Sequence, residues 1–136
     1  MKVRLAVLFS VLFVSQIASA SSSQGVLQIS NVLFKDKPIF CEEDILTPDK
    51  SDFDIVDYDL MSSEGGERYA IINIENTSSG QRILRRENLV AVFANCTSRY
   101  PEVLDQTLSG NEMLTKSIYF GKNKFPIIKV ISNSDM

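Results

Sequence analysis

The stretch RYAIINIENTSSG, Arg68–Gly80, decides the fold class. In an extended chain Ala70, Ile72 and Ile74 point to one side, and Asn73 and Glu75 to the other. That period of two marks a strand with one buried face. Asn76-Thr77-Ser78-Ser79-Gly80 then ends the run with residues that favour turns.

The same alternation of apolar runs and turn residues continues on both sides. Upstream, Val26–Phe34 is predicted as a first strand and Lys37-Pro38-Ile39-Phe40 as a short second one, with proline at an edge-tolerated position. Phe53–Leu60 is predicted as a strand in which acidic and apolar residues interleave, and Thr47-Pro48-Asp49-Lys50 can cap a single helical turn. Downstream come a strand at Leu89–Phe93, a turn at Cys96 and an extended Tyr100–Leu104. After a turn at Leu108–Asn111, Met113–Phe120 places Leu114, Ile118 and Phe120 on one face. Gly121–Lys124 is the next tip, and Phe125–Ile131 closes the sheet. Such spacing predicts an all-β sandwich or barrel of seven or eight strands in a single domain.

From Tyr69 to Phe120, the order INIENTSS, apolar strand, hairpin turn, Leu108-Ser109-Gly110 turn and a strand ending in Phe120 resembles the FxLYD-type Ig-like modules of bacterial surface proteins. The resemblance implies an Ig-like sandwich with a binding or assembly role, and it carries over no catalytic residue. Those modules place Asp-Gly or Asn-Gly where this chain has Asn95-Cys96.

The N-terminus reads as an export signal. Lys2 and Arg4 precede an apolar run from Leu5 to Val14, and Ala18-Ser19-Ala20 fits a cleavage site. The expected organisation is a signal peptide at 1–20, a solvated lead-in at 21–24 and the sandwich domain at 25–136. The apolar run falls short of the roughly 20 residues that span a bilayer. No cysteine follows the cleavage site to carry a lipid. A periplasmic or secreted location without stable membrane insertion is the expectation.

Charge is distributed unevenly. Glu42–Glu67 holds ten acids and one base, whereas Arg68 to the end holds six acids and nine bases. Net acidity argues against nucleic-acid binding and favours a basic protein partner. Pairing between the two parts, with Arg82, Arg85, Arg86, Arg99, Lys122, Lys124 and Lys129 answering the acidic run, is the simpler alternative.

Chemistry is sparse. The chain contains no histidine, which removes histidine acid–base catalysis and the common zinc sites. Neither a Ser-x-x-Lys dyad nor a Gly-x-Ser-x-Gly elbow occurs. No enzyme activity and no cofactor are expected. Within the acidic run, Asp52 and Asp54 share one strand face and Asp57 and Asp59 the other, unless a bulge near Ile55-Val56 brings them together. The alternatives are an edge guarded by charge, a partner surface made of Asp52, Phe53, Asp54, Asp57, Tyr58 and Asp59, and a calcium site.

The two cysteines, Cys41 and Cys96, are an even pair in an exported chain and so are expected to form a disulfide. Cys96 follows Asn95 at a hairpin tip where glycine would be the comfortable choice. The functional expectation is a non-enzymatic binding or envelope-assembly module; the alternative is an inhibitor or immunity protein that blocks a secreted hydrolase or toxin.

Overall fold

The computed structural model describes residues 25–30, 36–42 and 44–133. The expected signal peptide and lead-in lie outside the described residues, as does much of the expected first strand. The described chain is all-β. Its strands are β1 (Gln28–Ile29), β2 (Phe53–Ser62), β3 (Glu67–Asn76), β4 (Arg82–Arg85), β5 (Val90–Phe93), β6 (Ser98–Arg99), β7 (Asp105–Leu108), β8 (Met113–Lys122) and β9 (Ile127–Ile131). They form three antiparallel sheets, ordered β1-β2-β3-β8, β4-β7 and β6-β5-β9.

The sandwich follows from the alternation that opened the sequence reading. Ala70, Ile72 and Ile74 of β3 are fully buried, while Ile71 stays exposed and Asn73 and Glu75 half-buried on the opposite face. Their inner face meets Phe53, Tyr58 and Leu60 of β2 and Ile118 and Phe120 of β8. From the smaller sheets Leu84, Ala91, Phe93, Leu108, Ile127 and Val130 close the same core. Truncating a fully enclosed member such as Ile72 to alanine costs about 2–5 kcal/mol in such a setting.

Strand β5 is buried on both sides, which its VAVF sequence permits because every residue is apolar. Ala91 and Phe93 face the main core. Val90 and Val92 join Ile131 in a second, smaller cluster, covered by Ile39, Cys41, Ile45, Tyr100 and Ile128. Ile39, Cys41 and Ile45, from the segment just upstream of β2, thus form a strap over the outside of this sheet. The disulfide ties it down: Cys41 and Cys96 are bonded, with their Cα atoms 5.6 Å apart and a separation of 55 in sequence.

Two upstream expectations are corrected by this strap. Lys37–Phe40 is not a strand, and Thr47–Lys50 forms no helical turn. The strap is fixed instead by single anchors to neighbouring elements. The Leu46 N–H donates to Ser98 Oγ at 2.7 Å, Tyr100 Oη donates to the Thr47 carbonyl at 3.3 Å, and the Asp49 N–H donates to the Glu87 carbonyl at 2.7 Å. Further along, β4 and the 3-10 turn Arg86–Asn88 were missed, because RILR is too short to show a period. Of the two forms open to Tyr100–Leu104, strand or extended segment, the strand is absent; pairing is confined to Ser98–Arg99 before it and Asp105–Leu108 after it. Strand β9 starts at Ile127 rather than Phe125. The structure thus has nine short strands among the described residues, where seven or eight were expected.

Local chemistry explains the turns. Asn76 is fully buried, and its Nδ2 donates to the carbonyls of Gly80, Leu108 and Ser109 at 2.9, 3.3 and 2.8 Å. Its Oδ1 accepts from the N–H and Oγ of Ser78. One side chain thereby joins the end of β3 to the end of β7. In the β5–β6 hairpin, Phe93 and Thr97 are joined by a 2.8 Å backbone bond, and Cys96 has φ +63°. A three-residue hairpin loop ends in a left-handed residue, usually glycine. Here the cysteine takes that conformation, and the cross-link holds it there.

Candidate functional site

The acidic strand holds a bulge where the two possible arrangements of its carboxylates diverge. Ile55 pairs with Ile74 and Asp57 with Asn73, so Val56 is the extra residue. Without it, the burial pattern would reverse after Ile55. With it, Phe53 and Ile55 pack inward before the bulge and Tyr58 and Leu60 after it. Asp54, Asp57 and Asp59 are consequently displayed together on the outer face of the four-stranded sheet.

Pairing across β2, β3 and β8 arranges that face in rows. Asp54 stands beside Glu75 and Met113, Asp57 beside Asn73 and Thr115, and Asp59 beside Ile71 and Ser117. The fourth row is Met61, Tyr69 and Tyr119. Thr115 Oγ1 donates to Asn73 Oδ1 at 2.6 Å, and the rings of Tyr69 and Tyr119 lie 4.6 Å apart. These four rows carry four carboxylates and no lysine or arginine. Lys129 of β9 borders Asp57 from the neighbouring sheet.

The other expected surface residues lie elsewhere. Phe53 and Tyr58 are 2 % and 7 % exposed, so neither offers an apolar surface contact; this corrects the expectation. The reason is again the bulge, which keeps both rings on the core side. Asp52 precedes the strand and forms an ion pair with Arg82, Nε to Oδ2 at 2.7 Å, with both side chains about half exposed. Among the described residues, no group of three or more His, Cys, Asp or Glu side chains converges to hold a metal ion.

The basic residues divide between two tasks. Arg82 pairs with the acidic segment, and Arg86 pairs with its neighbour Glu87 at 3.4 Å. Arg68 and Arg99 serve the backbone instead. Arg68 donates to the carbonyls of Asn123 and Lys124, and Arg99 Nη1 to those of Phe120 and Lys122. Burial lowers the pKa of Arg68 from the ordinary arginine value. Sequence reasoning missed this role because the acceptors are main-chain groups, which no residue type announces.

A polar cleft of about 850 Å³ separates the Asp49–Phe53 segment from β4 and the 3-10 turn. Its charges balance, with Lys50, Arg82 and Arg85 opposite Asp49, Asp52 and Glu87. The Asp52–Arg82 pair bridges its two walls. With three charges of each sign, its lining favours neither ligand charge. The outer acidic face is the more distinctive surface. The chain matches no family model, no curated protein and no solved structure.

Proposed function

We propose that the protein is a non-enzymatic binding or assembly module working outside the cytoplasm, which presents its outer acidic face to a basic protein partner. The observation that carries this reading is the Val56 bulge, which gathers Asp54, Asp57 and Asp59 beside Glu75 on one face without a base among them. Such a face raises the rate of encounter with a positively charged surface. Ile71, Met61 and the Tyr69–Tyr119 pair, next to the acids, supply apolar contact once the partner arrives. The disulfide suits an oxidising compartment, and among the described residues no helix is long and apolar enough to cross a membrane.

The test is an affinity capture from the envelope fraction of the producing cell, run in parallel with the Asp54→Asn/Asp57→Asn/Asp59→Asn variant. The captured partner should carry a basic surface, bind the variant about tenfold more slowly at low salt, and bind less as salt rises. A partner that binds both proteins equally at every salt concentration refutes the role of this face. Capture of a hydrolase or toxin, inactivated on binding, moves the function from assembly to inhibition.

A further inference from the structure

The four-stranded sheet ends at β8, whose outer edge is taken by Arg99 and Glu102 from Tyr119 onward and is open over Met113–Ser117 among the described residues. The direction of its backbone groups follows from two hydrogen bonds. The Asn76 N–H donates to the Glu112 carbonyl, so even-numbered positions face β3. The Tyr119 carbonyl accepts from the Glu102 N–H, so odd-numbered positions face away. The N–H and C=O groups of Met113, Thr115 and Ser117 therefore point out of the sheet, and all three residues are exposed. Other edges are weaker templates. Strand β4 has its Arg85 N–H capped by Asn88, and β6 is two residues long.

We propose that this edge pairs with the same edge of a second copy of the chain, antiparallel about a two-fold axis at Leu114, making one continuous eight-stranded sheet. The edge is self-complementary in that register. Met113 and Thr115 of one copy exchange backbone hydrogen bonds with Thr115 and Met113 of the other, four bonds in all by the antiparallel pattern. Leu114, partly buried against the core, meets its own equivalent. Glu112 falls opposite Lys116 on both sides of the axis, two opposite-charge pairs. Shifting the axis to Lys116 would instead set two lysines against each other, which disfavours that register. Lys116 sits on the inward-facing side of an edge strand, a position that commonly guards against pairing. Here the guard has a matching acid four residues upstream, so it excludes other strands and admits this one. The inference concerns an edge distinct from the acidic face and does not rest on it.

The test is sedimentation equilibrium of the mature protein across a wide concentration range. A reversible monomer–dimer equilibrium is expected. Thr115→Pro removes an outward N–H and spares the backbone ladder to β3, although it also loses the Thr115–Asn73 side-chain bond, which Thr115→Val loses alone; the proline variant should keep the circular dichroism spectrum of Thr115→Val and abolish the dimer, which Thr115→Val should retain. Lys116→Glu and Glu112→Lys should each weaken dimerisation about tenfold, and the two together should restore it. Glu112 also accepts a hydrogen bond from the Ser109 N–H, so Lys116→Glu alone is the cleaner single variant. A protein that stays monomeric at every concentration overturns the proposal. So does a dimer indifferent to Thr115→Pro, or one that the charge swap fails to rescue.

Discussion

Arg99 occupies the space that a side chain at Gly121 would need. Its Nη1 lies 2.5 Å from the position of a Cβ built on Gly121, and the Glu102 carboxylate lies 2.6 Å from it. Gly121 also has φ +86°, at the point where the β3–β8 register slips. That slip leaves the Phe120 carbonyl to Arg99. Gly121→Ala should therefore destabilise the fold by about 2 kcal/mol or more, combining left-handed backbone strain with displacement of Arg99. Urea denaturation midpoints measure this, and an unchanged midpoint would remove Gly121 and Arg99 from the account of the β8–β9 turn.

Asn76 makes the most connected polar contact in the core. Replacing it with alanine removes this donor from the buried Leu108 carbonyl, whereas the Ser109 carbonyl keeps the Glu112 N–H. The expected loss is about 2–4 kcal/mol, above the value for a single surface hydrogen bond. Asn76→Asp should be comparably harmful, because a carboxylate offers no N–H to those carbonyls. Equal stability of wild type and Asn76→Asp would show that the three carbonyls find other partners.

The main sheet was legible in the sequence because β2, β3 and β8 are long enough to show a period of two. The alternation of Ala70, Ile72 and Ile74 reads directly as burial. Residues 82–85 were illegible for the opposite reason: four residues with one buried leucine carry almost no pattern. The strap at 36–51 misled for a physical reason too. Its Pro38-Ile39-Phe40 looks like a strand, yet Ile39 covers a neighbouring sheet rather than joining one, and Phe40 is left exposed. The bulge was visible only as a condition, since Ile55-Val56 interrupts the spacing of the aspartates without saying which residue is extra. The burial of Tyr58, which pairs with Ile72 after the bulge, settles that choice.

The disulfide closes a long loop, and loop entropy alone assigns it about 4 kcal/mol. Removing it should do more than lower the melting temperature. Partly buried contacts such as Ile39 and Ile45, with the hydrogen bonds at Leu46, Thr47 and Asp49 further along, then hold the strap. Cys41→Ser/Cys96→Ser should accordingly show faster amide exchange at 36–47 than in β3 or β8. Uniformly faster exchange across the whole chain would mean that strap and sheet unfold together. Intact mass of the wild type should lie about 2 Da below the reduced form, the two hydrogens lost on bridging.

The Tyr119 phenol is held above the ordinary tyrosine value. Desolvation is the largest cause, followed by the nearby charges of Glu102 and Glu67 and then Tyr69, with Arg99 opposing them. A raised pKa means that the folded protein retains this proton after the unfolded chain has released it. Between the two values the native state binds more protons, so stability falls as pH rises. The contribution is complete below about pH 10 and disappears as pH passes the folded value. Phenolate absorbance of wild type compared with Tyr119→Phe should isolate one tyrosine that ionises late. Tyr119→Phe should also flatten the alkaline fall in stability, because its ring still stacks on Tyr69 without a proton to release. If both proteins lose stability along the same alkaline curve, the charge of Glu102 and Glu67 does not reach this phenol in solution.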